Sequence, residues 1–230
     1  MKSTLLPEDK LIWSPIVANS RMNRERKASG INSYEKEFKF KPEVFLESKI
    51  KELGHASWLD LCCGQGNALI QTASYLHSKG LQDKVQLSGI DLLPSFQPIP
   101  KNITCLHFKS GSVVDWVSSE KYDLVTCSHG LHYLGNKLKV IETVIGALDH
   151  KGLFIANLDL ANISIAKTDT RQFLKNFFKK EDIQYNQRAR IIKRAGFARI
   201  KFNLRYIGAD DKTGPNYTGQ DAVTSYYGLR

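Results

Sequence analysis

The chain has 230 residues, 42% hydrophobic and 24% charged, with a net charge of +10. This composition excludes disordered, collagenous and membrane-embedded classes, and the length suffices for a core that needs no metal or disulfide. The start, MKSTLLPEDK, lacks the apolar stretch of a secretory leader, and no run approaches 18 apolar residues, so neither a signal peptide nor a membrane span is expected.

From Lys10 to Phe40 there is no clean periodicity. Arg21, Arg24, Arg26 and Lys27 cluster there, ahead of Gly30 and Asn32-Ser33-Tyr34, and the stretch reads as an arm or lid. Pro42 opens a helix, PEVFLESKIKEL, that Gly54 closes. Residues 1–55 are therefore expected to form an N-terminal arm and helix, and 56–230 the main domain. In that domain SWLDLC (57–62) predicts a buried strand, Asn67–His77 a helix, and Val85–Ile90 a second strand ending at Asp91. Pro94, Pro98 and Pro100 argue for a loop over 92–102. A third strand is expected over 103–108, a short helix over 113–117, a fourth strand at Tyr122–Cys127, a helix over 137–148 and a fifth strand over 152–158. Apolar strands alternating with amphipathic helices predict an α/β, doubly wound, mostly parallel sheet.

Beyond residue 160 the pattern changes. A basic helix is expected over 171–195, ending at Gly196, with Phe173, Leu174, Phe177 and Phe178 on one face. Residues 197–207 alternate as a strand with one wet face, and 222–229 supply its hairpin partner, giving an antiparallel C-terminal pair. The loop over 208–221 is long enough to suggest a function. Residues 161–230 hold 14 of the 33 Lys+Arg but 6 of the 23 Asp+Glu, so the basic excess lies mostly here. Such a surface attracts nucleic acid, an anionic substrate or a membrane, or is simply a solvated exterior. Cys62, Cys63, Cys105 and Cys127 have apolar neighbours and no zinc-ligand spacing. They predict reduced thiols, a cytoplasmic protein and no metal.

The strongest chemical signal is Asp60-Leu61-Cys62-Cys63-Gly64-Gln65-Gly66-Asn67 between a strand and a helix, where an open α/β sheet binds ligands. Glycines let backbone approach a ligand, and the acidic residue ahead of them suits a ligand carrying a cationic amino group. Asp91 and Leu92 end the next strand, where a carboxylate can accept from both hydroxyls of a ribose. Ser110-Gly111-Ser112-Val113 is placed to flank a base, and Cys127-Ser128-His129-Gly130-Leu131-His132-Tyr133 follows the fourth strand.

Together these segments resemble the class I S-adenosylmethionine methyltransferase family. WLDLCCGQGNAL is similar to its glycine-rich motif, with Cys62 in the first glycine slot, and GIDLLP to its ribose-binding motif. YDLVTCSHGLHYL, LDHKGLFIANL and AGFARIKF resemble its later segments, in order over roughly 56–230. The resemblance implies a seven-stranded Rossmann-like sheet and S-adenosyl-L-methionine as cofactor, bound by Asp60, Leu61, Cys62, Cys63, Gly64, Gly66, Asp91, Leu92, Ser112, Val113 and Ser128. It also implies in-line methyl transfer, with rate drawn from positioning. The acceptor is expected to be an O or N atom of a small molecule or peptide. An RNA methyltransferase using the basic third, not favoured because no RNA-binding module is recognisable, and a non-catalytic cofactor-binding partner are the alternatives. His129 and His132 are candidate bases, or capping and packing residues. Tyr34 is placed to close over cofactor or substrate, or merely to pack the arm.

Overall fold

The computed structural model describes residues 5–18, 25–118 and 120–230. Arg21 and Arg24 of the arginine cluster lie outside them.

Seven strands form the main sheet, in the order β3-β2-β1-β4-β5-β8-β7. The five in the parallel part are β1 (Ala56–Leu61), β2 (Val85–Asp91), β3 (Leu106–Ser110), β4 (Tyr122–Cys127) and β5 (Leu148–Asn157). β1 lies between β2 and β4, and helices pack on both its faces, which is why ASWLDL is apolar almost throughout. Successive side chains go to opposite layers. Trp58, Leu87 and Leu124 enter one core, packed with Leu46, Leu69 and Leu76 of α3 (Pro42–Leu53) and α4 (Asn67–Ser78). Leu59, Val125 and Phe154 enter the other, with Leu138, Ile141 and Val144 of α5 (Lys137–Gly146). Each fully buried leucine contributes about 1.5–3 kcal/mol of hydrophobic transfer, so truncating Leu69 would cost about 2–5 kcal/mol.

The expected strand–helix alternation is present, and the proline-rich crossover has no helix. Several expectations need correction. Residues 113–115 form bends and 116–117 have no regular structure, instead of a short helix. The third strand is shifted to 106–110, because Ile103 and Cys105 pack as an irregular lead-in. The basic helix does not run to 195. It stops as α6 (Thr170–Lys180), where Asp182 takes a left-handed φ of 53°. The chain then returns as β7 (Gln184–Asn186) and β8 (Ile191–Ala195), which pairs antiparallel with β5. Buried Ile192 explains the change, since tertiary pairing overrides the local helical period.

The C-terminal pair is antiparallel as expected, but it lies outside the main sheet. β9 (Leu204–Asp210) and β10 (Thr224–Leu229) join β6 (Ile163–Ile165) in a second, three-stranded sheet. Residues 197–203 precede β9 without strand pairing. Lys137 ties the second sheet to the first. Its buried ammonium donates to Leu134 O, Val223 O and Ser225 Oγ at 2.7, 2.7 and 2.8 Å.

The arm is fastened to the body at several points. Ala28 N and Ser29 N donate to Gln71 Oε1 on α4. A short helix, α2 (Tyr34–Phe38), begins at Ser33, whose Oγ accepts from Lys36 N. The first helix, α1 (Glu8–Leu11), sits beside β9, and Glu8 accepts from Gly135 N and Asn136 N.

Candidate functional site

A cleft of about 350 Å³ opens at the C-terminal ends of β1, β2 and β4, where an open parallel sheet presents its turns to a ligand. Cys62, Cys63 and Gly64 from the turn after β1 form its floor. Asp91 and Leu92 after β2, Ser112 and Val113 after β3, and Ser128 and His129 after β4 line its sides. Nine of the sequence-predicted residues thus meet in one cleft, together with Tyr34 of the arm.

The turn after β1 carries its own accounting. Cys62 has a φ of 56°, the left-handed region a glycine would take without strain. Its side chain is accommodated because Gly130 lies opposite. A Cβ on Gly130 would come within 2.6 Å of Cys62 Sγ and 2.7 Å of Cys127 Sγ. The glycine missing from the turn is compensated across the cleft. Gly66, with a φ of 77°, answers to a different neighbour than expected. A Cβ there would strike the ring of Phe108, which is stacked on Phe96 of the proline-rich loop at 4.7 Å. Gly66 therefore admits an aromatic ring and does not itself line the cleft.

Asp91 is nearly buried, and its two oxygens accept from Gly64 N (2.8 Å) and Leu93 N (3.1 Å). The two N–H groups thereby hold the carboxylate in place where it lines the cleft. Beside it, Ser128 Oγ is buried without a hydrogen-bond partner among the described residues. A fixed carboxylate, an orphaned hydroxyl and a left-handed backbone turn suit an adenosyl group with a polar tail.

Asp60, expected to orient the turn and to meet a cationic amino group, does not line the cleft. It is fully buried beneath the turn, and its oxygens accept from Tyr34 Oη (2.8 Å each) and Thr126 Oγ1 (2.6 Å), which in turn accepts from Trp58 Nε1. Burial, with Asp91 nearby, pushes its carboxyl up to about 7 against the pull of its two hydroxyl donors. Its oxygens are engaged by these two hydroxyls, so it braces the arm and β4 beneath the turn. Tyr34 is spent on this brace: its hydroxyl faces Asp60, and burial first and Asp60 second raise its pKa. Leu61 is in the core.

The two histidines are separated by environment. His132 is fully buried, does not line the cleft, and has both ring nitrogens without hydrogen-bond partners among the described residues. Burial, then His129, pull it down to about 3, so it stays neutral. His129 lines the cleft, with a left-handed φ of 57°. Its Nε2 lies 3.2 Å from Glu37 Oε2, a partner that sequence reasoning missed. The hydrogen bond from His129, outweighing burial, holds the Glu37 carboxyl at about 2. Arg26 Nη1 lies 3.4 Å from the same oxygen. The 208–221 stretch does contribute: Thr218 and Gln220 line the cleft, and Gln220 accepts from Tyr133 Oη. The aromatic stripe of α6 does not line it. Leu174 and Phe178 are buried in the core, and Phe177 stacks on Phe202 at 4.1 Å.

The protein is of the open α/β class, with its cleft at the ends of the parallel strands. A model of the methyltransferase domain family matches residues 28–198, and the chain belongs to that family. Its seven-stranded sheet is the Rossmann-like fold of the class I enzymes, whose cofactor is S-adenosylmethionine. Among curated proteins none matches the chain. Solved structures it is similar to include the N-methyltransferase NodS from Bradyrhizobium japonicum WM9 with S-adenosyl-l-homocysteine (13% identity, TM-score 0.42, 66% of this chain and 84% of that one). Coclaurine N-methyltransferase with N-methylheliamine (16%, 0.39, 50% and 34%) is another, as is the plantazolicin methyltransferase BamL with a triazolic desmethylPZN analog (24%, 0.37, 52% and 45%). The chain spans about a third to a half of the latter two. Family membership follows from the sequence model and the sheet order, not from these distant likenesses. No helix among the described residues is long and apolar enough to cross a membrane.

Proposed function

We propose that the chain is an S-adenosylmethionine-dependent methyltransferase acting on an oxygen or nitrogen of a small molecule or peptide. The observation that carries this reading is Asp91, held by Gly64 N–H at the mouth of a cleft with the Cys62–Gly64 turn as its floor. Asp91 would accept from the ribose, Ser112 and Val113 would flank the base, and Ser128 would meet the polar tail. Bound there, the cofactor supplies an electrophilic methyl group on a sulfonium. The chain's part is to hold the acceptor in line and to exclude water.

Of the three candidate catalytic residues, His129 is the base in this reading. Tyr34 is committed to Asp60, and His132 has no route to the cleft. Residues 1–55 serve as arm and helix over the acceptor side, and 56–230 as the catalytic domain. Four free cysteines fit a reducing, cytoplasmic setting.

Calorimetric titration with S-adenosylmethionine and, separately, NAD tests the reading. Micromolar binding of S-adenosylmethionine alone, weakened about 10- to 100-fold in Asp91→Ala, is expected. Binding of NAD, or of neither, overturns it.

A further inference from the structure

Glu37 sits on α2, three residues beyond the Tyr34 that braces Asp60, so one turn of the arm reaches both the floor and the wall of the cleft. At the wall it enters a closed ring of polar contacts. Glu37 Oε2 meets His129 Nε2 at 3.2 Å, Glu37 Oε1 accepts from Asn157 Nδ2 at 2.7 Å, and Asn157 Oδ1 accepts from His129 N at 3.0 Å. The ring therefore fixes both the backbone and the imidazole of His129. It also explains how that residue keeps a left-handed φ of 57° without being glycine, a strain that persists only where surrounding contacts over-determine it. Asn157 Nδ2 also donates to Tyr217 Oη at 3.2 Å, which ties the 211–223 loop to the same assembly.

We propose that Glu37 is a positioning residue that makes His129 a general base, and that the acceptor is consequently a hydroxyl or amine with a proton to lose. The inference rests on the methyltransferase reading above. With Nε2–H donated to Glu37, the imidazole's lone pair is on Nδ1. As the acceptor's oxygen or nitrogen lone pair forms its bond to the methyl carbon, the carbon–sulfur bond breaks and its electron pair stays on sulfur as a neutral thioether. The acceptor's proton passes to Nδ1. The imidazolium so formed sits against the Glu37 carboxylate until it releases the proton to water. A thiolate or carboxylate acceptor would need no such assembly. Because Glu37 belongs to the arm and His129 to the body, the base is complete only with the arm docked.

The test uses the full chain, wild type, Glu37→Gln and Glu37→Asp, with calorimetry, ring NMR and turnover. Calorimetry with S-adenosylmethionine separates the two readings: no binding by the wild type removes the methyltransferase reading itself. In proton NMR of the ligand-free protein, a hydrogen-bonded Nε2–H resonance of His129, assigned by its loss in His129→Gln, is expected far downfield. It should move upfield in Glu37→Gln and stay in Glu37→Asp. Turnover is read as S-adenosylhomocysteine release with phenol, catechol, tyramine and benzylamine, and with thiophenol as the thiol control. At least one hydroxyl or amine probe should be methylated, with kcat lower by about 10- to 100-fold in Glu37→Gln, KM and cofactor Kd unchanged, and recovery in Glu37→Asp. The inference is overturned by any of three results: no protected His129 resonance in the wild type, an unaltered kcat in Glu37→Gln, or a cofactor-binding wild type that methylates none of the hydroxyl and amine probes.

Discussion

The wall of the cleft around Asp91 is assembled from strand ends, each a few residues from an apolar run, whereas the wall around His129 joins α1, α2, the β4 turn, the end of β5 and the 211–223 loop across separations of 28 to 128 residues. The first wall owes its shape to backbone: a left-handed turn, an N–H on a carboxylate, glycines where rings and sulfurs press close. The second is held by side chains, in a ring that loses its geometry if any one member is removed. On the function proposed above, a cofactor common to many enzymes would be met by the rigid backbone, and the individual acceptor by the more adjustable part.

The largest effect that would break this division is expected at Gly66. Its φ of 77° and the Phe108 ring leave no room for a side chain. Gly66→Ala should destabilise the fold by about 3 kcal/mol or more and weaken cofactor binding through the turn, as read by chemical denaturation and calorimetry. Adding Phe108→Ala should return part of the stability. Tyr34→Phe comes next. It leaves the buried Asp60 carboxylate with Thr126 as its sole hydroxyl donor of the present two, at a cost of about 1–3 kcal/mol. Removing the brace should loosen the floor and the arm together, so stability and turnover fall in parallel. A loss of turnover at full stability would place Tyr34 in the chemistry after all.

The division also decides what the sequence revealed. Strand-to-helix alternation, the LDLCCGQGN turn and Asp91 at the end of β2 are local features, readable from periodicity and residue type. The Cys62 departure from glycine was readable too, but its compensation by Gly130 was not, since those residues are 68 positions apart and meet only in the folded sheet. Glu37 had no signal beyond being one charge among several in YEKEF. The helix expected over 171–195 failed because β8 draws its pairing from β5, a partner that local periodicity does not contain. Asp60 was assigned to a ligand because its position matched a motif; that Tyr34 Oη from a distant arm would occupy it needed coordinates.

Two carboxylates, Asp60 beneath the floor and Glu37 in the wall around His129, should respond to pH with opposite sign. Asp60 has its folded-state pKa raised from its usual 3.8 to about 7, chiefly by burial. Its contribution is therefore full at low pH and is lost as pH rises through about 7. Glu37 has its pKa lowered from 4.5 to about 2, first by the hydrogen bond from His129. Its contribution is present above 4.5 and is lost as pH falls toward 2. Denaturant titrations at fixed pH should thus find that Asp60→Asn flattens the loss of stability between pH 4 and 7, while Glu37→Gln flattens the loss below pH 4.5. If both variants alter the same limb, the two carboxylates do not titrate independently.

The smallest effect is expected on the basic face of α6. Arg171, Lys175, Lys179 and Lys180 are exposed, and none lines the cleft. The helix is held by Leu174 and Phe178 on the opposite side, with Asp169 capping it through Gln172 N. Replacing Lys175 and Lys179 by Gln should change stability by less than about 0.5 kcal/mol and leave S-adenosylmethionine affinity unaltered. The same variant addresses the RNA alternative. If these residues neutralise phosphates, wild-type binding to a single-stranded RNA probe would fall steeply with salt, with a log–log slope of about −0.7 for each phosphate contacted, and the variant would lower that slope by about one unit or more. A solvated exterior predicts weak RNA binding that the two substitutions barely change. That second outcome is expected, because the cleft lining beside His129 includes Glu8, Glu37, Thr218 and Gln220, two carboxylates, a hydroxyl and an amide that offer a polyanion little besides Arg26.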